Sequence, residues 1–197
     1  MESWLEVNLV PPGARDESLL TGLVDGLVHD GLRGEVETWF FFWEPELRLR
    51  LRWSDPARAE PCRGTVAAAL DDAVRAGTLA EWYEAAHGRR GERYEGEAEM
   101  YGGEMWPLVQ KDWMNGSELA LAIAKLEHAG LLSEPRAFHW QRHVHLVTNQ
   151  LYGTWDAEVE LCLAQALGYL RHVRASGGAP SAAALGLLGE LDAVARS

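Results

Sequence analysis

The sequence predicts an α+β fold, a ferredoxin-like split β-α-β antiparallel sheet followed by a helical C-terminal half. Three observations carry this expectation. Strand-like stretches occupy residues 4–10, 36–43, 47–53 and 79–86. Segments of helical character at 17–30 and 64–76 fall between them, giving the order β-α-β-β-α-β. After about residue 104 the apolar spacing is mostly helical.

The first strand places Leu5, Val7 and Leu9 on one side and stops at Pro11-Pro12-Gly13. The helix over 17–30 carries Leu19, Leu20, Leu23, Val24 and Leu27, with Asp16 as its N-cap candidate. Two strands then meet at Glu44-Pro45-Glu46. An alanine-rich helix over 64–76 is stopped by Gly77, and the last strand follows. Helices are expected at 104–114, 117–129, 137–150, 156–174 and 181–195, with Ser117 and Ser181 as caps and Gly130, Gly153 and Gly177-Gly178 as breaks. One domain over 1–175 would carry an Ala/Gly-rich C-terminal helix or tail over 176–197.

In the stretch 47–53, Leu47, Leu49, Leu51 and Trp53 alternate with Arg48, Arg50 and Arg52. Period two puts the apolar set on one sheet face and three guanidinium groups on the other. Like charges about 7 Å apart along one face are costly unless something anionic or aromatic lies against them. Two readings are open: an anion-holding face, since arginine binds carboxylates through a planar fork, or a solvated face paired with acidic neighbours.

The formal net charge of −12 disfavours a stable grip on nucleic acid and fits a neutral or cationic peptide partner better. No run of about 18 apolar residues exists to cross a membrane, and the N-terminus lacks a signal-peptide pattern. Cys62 and Cys162 lie far apart and form no metal or redox motif, so a cytoplasmic protein with free thiols is expected. Nine tryptophans suit either a core or a peptide-binding cleft, and Trp4 and Trp53 fall in strand patterns that favour the core.

Two clusters could carry chemistry. His139 and His143 share a helical face, but His145 points away from them and no HExxH motif is present, so no metal site is expected. His145, set before Thr148-Asn149, is the favoured general acid or base. Tyr94, Glu97, Glu99 and Tyr101 precede Gly102-Gly103, where the backbone can turn tightly beside a pocket; an acidic solvated loop is the alternative. No nucleophile elbow, phosphate-cradling loop or dinucleotide fingerprint appears, and no cofactor is expected.

Taken in order, these segments resemble the C-terminal, glutamate-elimination-type domain of lantibiotic dehydratases. That family includes stand-alone thiopeptide-type bacteriocin biosynthesis proteins and thiopeptide pyridine synthases. The resemblance runs over roughly residues 1–175. It rests on Trp4 in an opening strand, on a Trp-Phe-Phe strand at 39–42 and on the Leu-Arg repeat at 47–52. It continues with a Tyr-x-x-Glu-x-x-Arg-Tyr-Gly-Gly pattern at Tyr94, Glu97, Met100, Tyr101, Gly102 and Gly103, then Ser117. Last come His145, Asn149, Gln150 and Leu151, with an acidic stretch at 156–160. Three positions depart from the family pattern: Met100 replaces an arginine, Gln150 replaces an arginine, and Glu46 stands where a histidine usually precedes the Leu-Arg strand.

The resemblance implies maturation of a ribosomally synthesised peptide. Pyridine-synthase-like formal [4+2] joining of two dehydroalanines, with leader loss, is the leading expectation. Glutamate elimination from glutamylated Ser or Thr, and non-catalytic leader binding, are the alternatives. Under the leading expectation His145, Tyr94, Glu97 and Tyr101 would move protons, while Arg48, Arg50, Arg52, Trp43 and Asn149 would bind substrate. The implied partner is a leader-bearing precursor peptide; other maturation enzymes and a second copy of the chain stay open as partners.

Overall fold

In the computed structural model the chain divides into two compact units, Met1–Leu132 and Ser133–Ser197. The structure describes residues 4–13, 17–43 and 46–132 of the first unit, with Glu134, Arg136 and His139 of the second. The Asp16 cap, the 44–45 turn, nearly all of the helix predicted at 137–150, those at 156–174 and 181–195, and the boundary at 175 lie outside the described residues.

Strand β1 spans Trp4–Val10, β2 Val36–Trp43, β3 Leu47–Trp53, β4 Glu81–Ala86 and β5 Arg89–Arg90. They form one sheet in the order β2-β3-β1-β4-β5, and each of the four neighbouring pairs is antiparallel. The first four strands therefore follow the ferredoxin-like order expected from the sequence.

Helix α1 covers Leu19–Val24 and Gly26–Gly31. The sequence foresaw a helix here but not its winding, which is π rather than α. Leu32 N donates to Leu27 O at 2.9 Å, five residues back. Helix α2 spans Ala59–Arg75, starting five residues before the expected position. A single 3-10 turn at Pro56–Arg58, capped by the Asp55 side chain accepting from Ala57 N, leads into it. Pro61 reads as a breaker in sequence, yet in the first turn it gives up no intrahelical donor. One short turn, α3, covers Ala98–Tyr101, and α4 runs Trp106–His128.

Helix α4 replaces the two helices expected at 104–114 and 117–129. Ser117 is not a cap. Its hydroxyl sits inside the helix and accepts from Phe41 N on β2 at 3.1 Å, so the sheet edge uses the oxygen that a cap would have used. Pro107 at the start and Gly130, with φ +67, just past the end mark the limits.

The leucine face of the sheet is the main core. Leu5, Val7, Leu9, Leu47, Leu49 and Leu51 pack with Leu19, Leu20, Val24 and Leu27 of α1 and Val66 and Leu70 of α2. Each buried leucine contributes roughly 2 kcal/mol of hydrophobic transfer. This core fixes β1 and β3 side by side and so decides what their other face presents.

Candidate functional site

Antiparallel register brings directly opposed residues onto one face. On the face away from the leucines, three rows of side chains cross the sheet. One row runs Phe42, Arg48, Asn8, Tyr83; the next Phe40, Arg50, Glu6; the third Thr38, Arg52, Trp4. The arginine stripe is thus not an open solvated face. Arg50 is 3% exposed, and Glu6 and Asn8 are each 1% exposed.

The middle row is an internally matched ion cluster. Arg50 Nε donates to Glu6 Oε2 at 2.7 Å, and its Nη1 donates to Glu97 Oε1 at 2.6 Å. The second Glu6 oxygen accepts from Gly88 N at 3.0 Å. The guanidinium lies 4.2 Å from the Tyr94 ring centroid and 5.2 Å from that of Phe42. Attraction of roughly 4 kcal/mol per close pair at an effective dielectric near 20 is of the same order as the cost of drying the charges. The cluster therefore fixes geometry more than it adds net stability.

The third row is looser. Arg52 pairs with Glu37 at 2.8 Å, where the Glu37 side chain is 54% exposed. In the first row Tyr83 donates its hydroxyl to Glu46, which places that glutamate beside the row, and Arg90 stacks 3.8 Å from the Tyr83 centroid. The hydrogen bond to Glu46, with burial adding to it, pushes the Tyr83 phenol above its ordinary range.

Aromatic rings cover the face. Trp4 meets Phe40 at 5.7 Å, Tyr94 at 5.4 Å and Trp106 at 6.0 Å. Trp113 of α4 packs on Phe40 and Phe42. The β4–β5 hairpin turns through His87 and Gly88, both with positive φ, as a two-residue turn of the primed type requires. Gly88 suits this turn by its backbone, and the Arg48 arm lies close against it. Its φ is +76, and a Cβ there would lie 3.3 Å from the Arg48 guanidinium.

Of the residues chosen from sequence, Tyr94 and Glu97 are buried and meet Arg50 in the middle row. Burial pushes the Tyr94 phenol far above its ordinary value, with Glu97 and Glu6 adding to the shift and Arg50 opposing it. Tyr94 accordingly stays a neutral phenol across ordinary pH, a hydrogen-bond donor and not a base. Glu97 is bound to Arg50 and also lies 3.6 Å from His87 Nδ1. Tyr101 is 37% exposed and stacks on Trp106 at 5.9 Å, at the outer side of the aromatic cover. Met100 points outward at 70% exposure, and Glu99 is exposed. The acidic loop thus splits, with Tyr94 and Glu97 inside and Glu99 and Met100 outside.

Trp43 corrects an expectation. It opposes Leu47 in register and packs against the leucine core, so it lies on the other face from the arginines. His143, His145, Asn149 and Gln150 lie outside the described residues. Sequence reasoning missed Glu6, Asn8, His87, Trp106 and Trp113. For Glu6 and Asn8 a signal existed, because the Leu5, Val7, Leu9 alternation already assigned a carboxylate and an amide to the opposite face of an interior strand.

A sheet face with an arginine stripe, a Tyr-x-x-Glu loop folded onto it and an aromatic cover defines the class. The family model for the lantibiotic biosynthesis dehydratase C-terminal region matches residues 4–184, and the chain belongs to that family. The crystal structure of the tRNA-dependent lantibiotic dehydratase MibB from Microbispora sp. 107891 is similar in fold, at 23% identity and a TM-score of 0.53. The match covers 64% of this chain and 12% of MibB. No curated protein matches the chain. Among the described residues, no helix is long and apolar enough to cross a membrane.

Proposed function

We propose that this domain acts in the cytoplasm on a leader-bearing, ribosomally synthesised precursor peptide and joins two of its dehydroalanines in a pyridine-synthase-like formal [4+2] cyclisation. Water and the leader leave as the ring becomes aromatic. The protein's contribution is to hold the two alkenes together, an effect of proximity and orientation. Tyr94 supplies a neutral phenol that can donate a hydrogen bond beside the site.

The observation that carries this reading is the commitment of Arg50 to both Glu6 and Glu97. Glutamate elimination needs cationic groups free to receive a departing carboxylate. Here the central guanidinium already has two carboxylates, Met100 stands where the family motif has an arginine, and Glu46 adds another negative charge nearby. That field favours an uncharged peptide segment over a glutamyl ester.

Intact-mass spectrometry of the full chain incubated with two substrates tests this. A bis-dehydroalanine precursor should lose leader and water, and a glutamylated precursor should be unchanged. Loss of glutamate from the second would overturn the reading in favour of elimination. A specific observation favours one further reading, a non-catalytic peptide-binding partner: Glu97, a candidate base, is tied up in the ion cluster. Binding of either precursor without mass change would establish it.

A further inference from the structure

The first row across the sheet differs from the second in a way that points to a ligand. In the second row the Arg50, Glu6 and Glu97 side chains find partners in one another. In the first, both atoms of the Asn8 carboxamide are buried with no hydrogen-bond partner, and so is Nε of Arg48, its direct neighbour in register. Asn8 is 1% exposed. A buried amide with neither donor nor acceptor satisfied is uncommon in folded proteins and costs stability. Its place is notable too, because Phe42, Arg48 and Tyr83 of the same row are all only half-buried. The neighbours of Asn8 in the row thus keep part of their own surface exposed while Asn8 does not.

Arg48 reaches over the strand that carries Asn8. It starts on β3, and its guanidinium comes within 3.3 Å of the Cβ position of Gly88 in the β4–β5 turn. Strand β1 lies between β3 and β4, so the arm passes across β1, the strand that carries Asn8. A long side chain of this kind moves by changing rotamers without repacking the core.

We infer that Asn8 and Arg48 form a subsite that reads a backbone amide of the bound peptide. The Asn8 side-chain N–H donates to a peptide carbonyl, its oxygen accepts from a peptide N–H, and Arg48 turns to the adjacent carbonyl. A carboxamide is complementary to a peptide bond because each carries one donor edge and one acceptor edge. This inference deepens the proposed function and rests on its peptide-binding part.

The test uses the full chain, Asn8→Leu and Arg48→Met. Two probes are used, the bis-dehydroalanine precursor and a small blocked peptide, N-acetylglycine N-methylamide. Precursor affinity is read by calorimetry, and the Asn8 side-chain amide resonance, assigned by its loss in Asn8→Leu, is followed by NMR. Expected results are a shift of that resonance with the small peptide and roughly tenfold weaker precursor binding in Asn8→Leu. Thermal stability of Asn8→Leu should be equal or higher, because an unsatisfied buried amide is gone. Unchanged precursor affinity in Asn8→Leu sinks the subsite and leaves the proposed function standing. A resonance that moves with the small peptide, when the precursor does not bind, supports the subsite and sinks the proposed function. Silence with both probes overturns both. Lower stability with unchanged affinity identifies Asn8 as a structural residue and overturns the inference.

Discussion

Removing the Arg50 side-chain charge is the sharpest perturbation of this fold. Arg50→Met keeps most of the aliphatic stem and deletes the cation shared by Glu6 and Glu97, which are 1% and 8% exposed. Glu6 keeps one donor, Gly88 N at 3.0 Å. Glu97 keeps only a long contact from the Tyr94 hydroxyl, at 3.5 Å, and the half-exposed His87 beyond hydrogen-bonding distance. Breaking a buried pair by deleting one partner costs about 3–5 kcal/mol. For a chain of 197 residues this corresponds to a fall of roughly 10 °C in Tm. Urea and thermal unfolding at neutral pH measure it. The triple variant Glu6→Gln, Arg50→Met, Glu97→Gln should recover most of the loss, since no buried charge is then left alone. Glu37→Gln is the internal comparison and should cost under about 1 kcal/mol, because the Glu37 side chain is more than half exposed. An Arg50→Met loss below about 1 kcal/mol, or a triple variant no better than the single, would refute the account of the middle row.

Three further outcomes are expected. Tyr94 has a folded pKa above its unfolded value of about 10, so its contribution is complete below pH 10 and is lost as pH rises beyond it. Wild-type stability should then fall by about 1.4 kcal/mol more per pH unit than that of Tyr94→Phe, as urea midpoints across that range would reveal. On the acid side, burial raises the Asp25 carboxyl, but hydrogen bonds from Lys125 and His29 together outweigh it and hold it below 3.8. Its contribution is present above that value and lost as pH falls through the folded one, so Lys125→Met should cost under about 1 kcal/mol near neutrality and nothing in strong acid. Ser117→Ala strands Phe41 N and should cost about 1–2 kcal/mol despite alanine's better helix propensity, with faster hydrogen exchange at that amide as the specific sign.

Local pattern was enough for the first four strands, though not for β5 at Arg89–Arg90. The alternation in 4–10 and 47–53 matched the strands residue for residue, because a half-buried strand writes its two faces into its sequence. Helix limits were less legible. The expected start at residue 64 and the expected Ser117 cap both gave way, the first because Pro61 fits the first turn of α2 and the second because Ser117 serves the edge of β2. The candidate site was half legible. Arg50, Tyr94 and Glu97 could be named from residue types and motif order. Their meeting with Glu6, and the pairing of Arg48 with Asn8, depend on which strands become neighbours. Trp43, expected from sequence to bind substrate, lies on the face away from the arginines because its partner in register, Leu47, belongs to the core side.

The contact between α4 and β2 bears on the solution behaviour of the chain. Strand β2 ends in Trp-Phe-Phe-Phe-Trp, uncharged and apolar, and among the described residues it is the outermost strand on its side of the sheet. Such a segment with free backbone groups is a template for pairing with another molecule. The Ser117 hydroxyl blocks the Phe41 amide, and Glu118 takes the Trp39 indole N–H at 2.9 Å. Two adjacent residues of one helix thus satisfy two donors of this strand. Loss of these two contacts should show as concentration-dependent turbidity on expression or refolding.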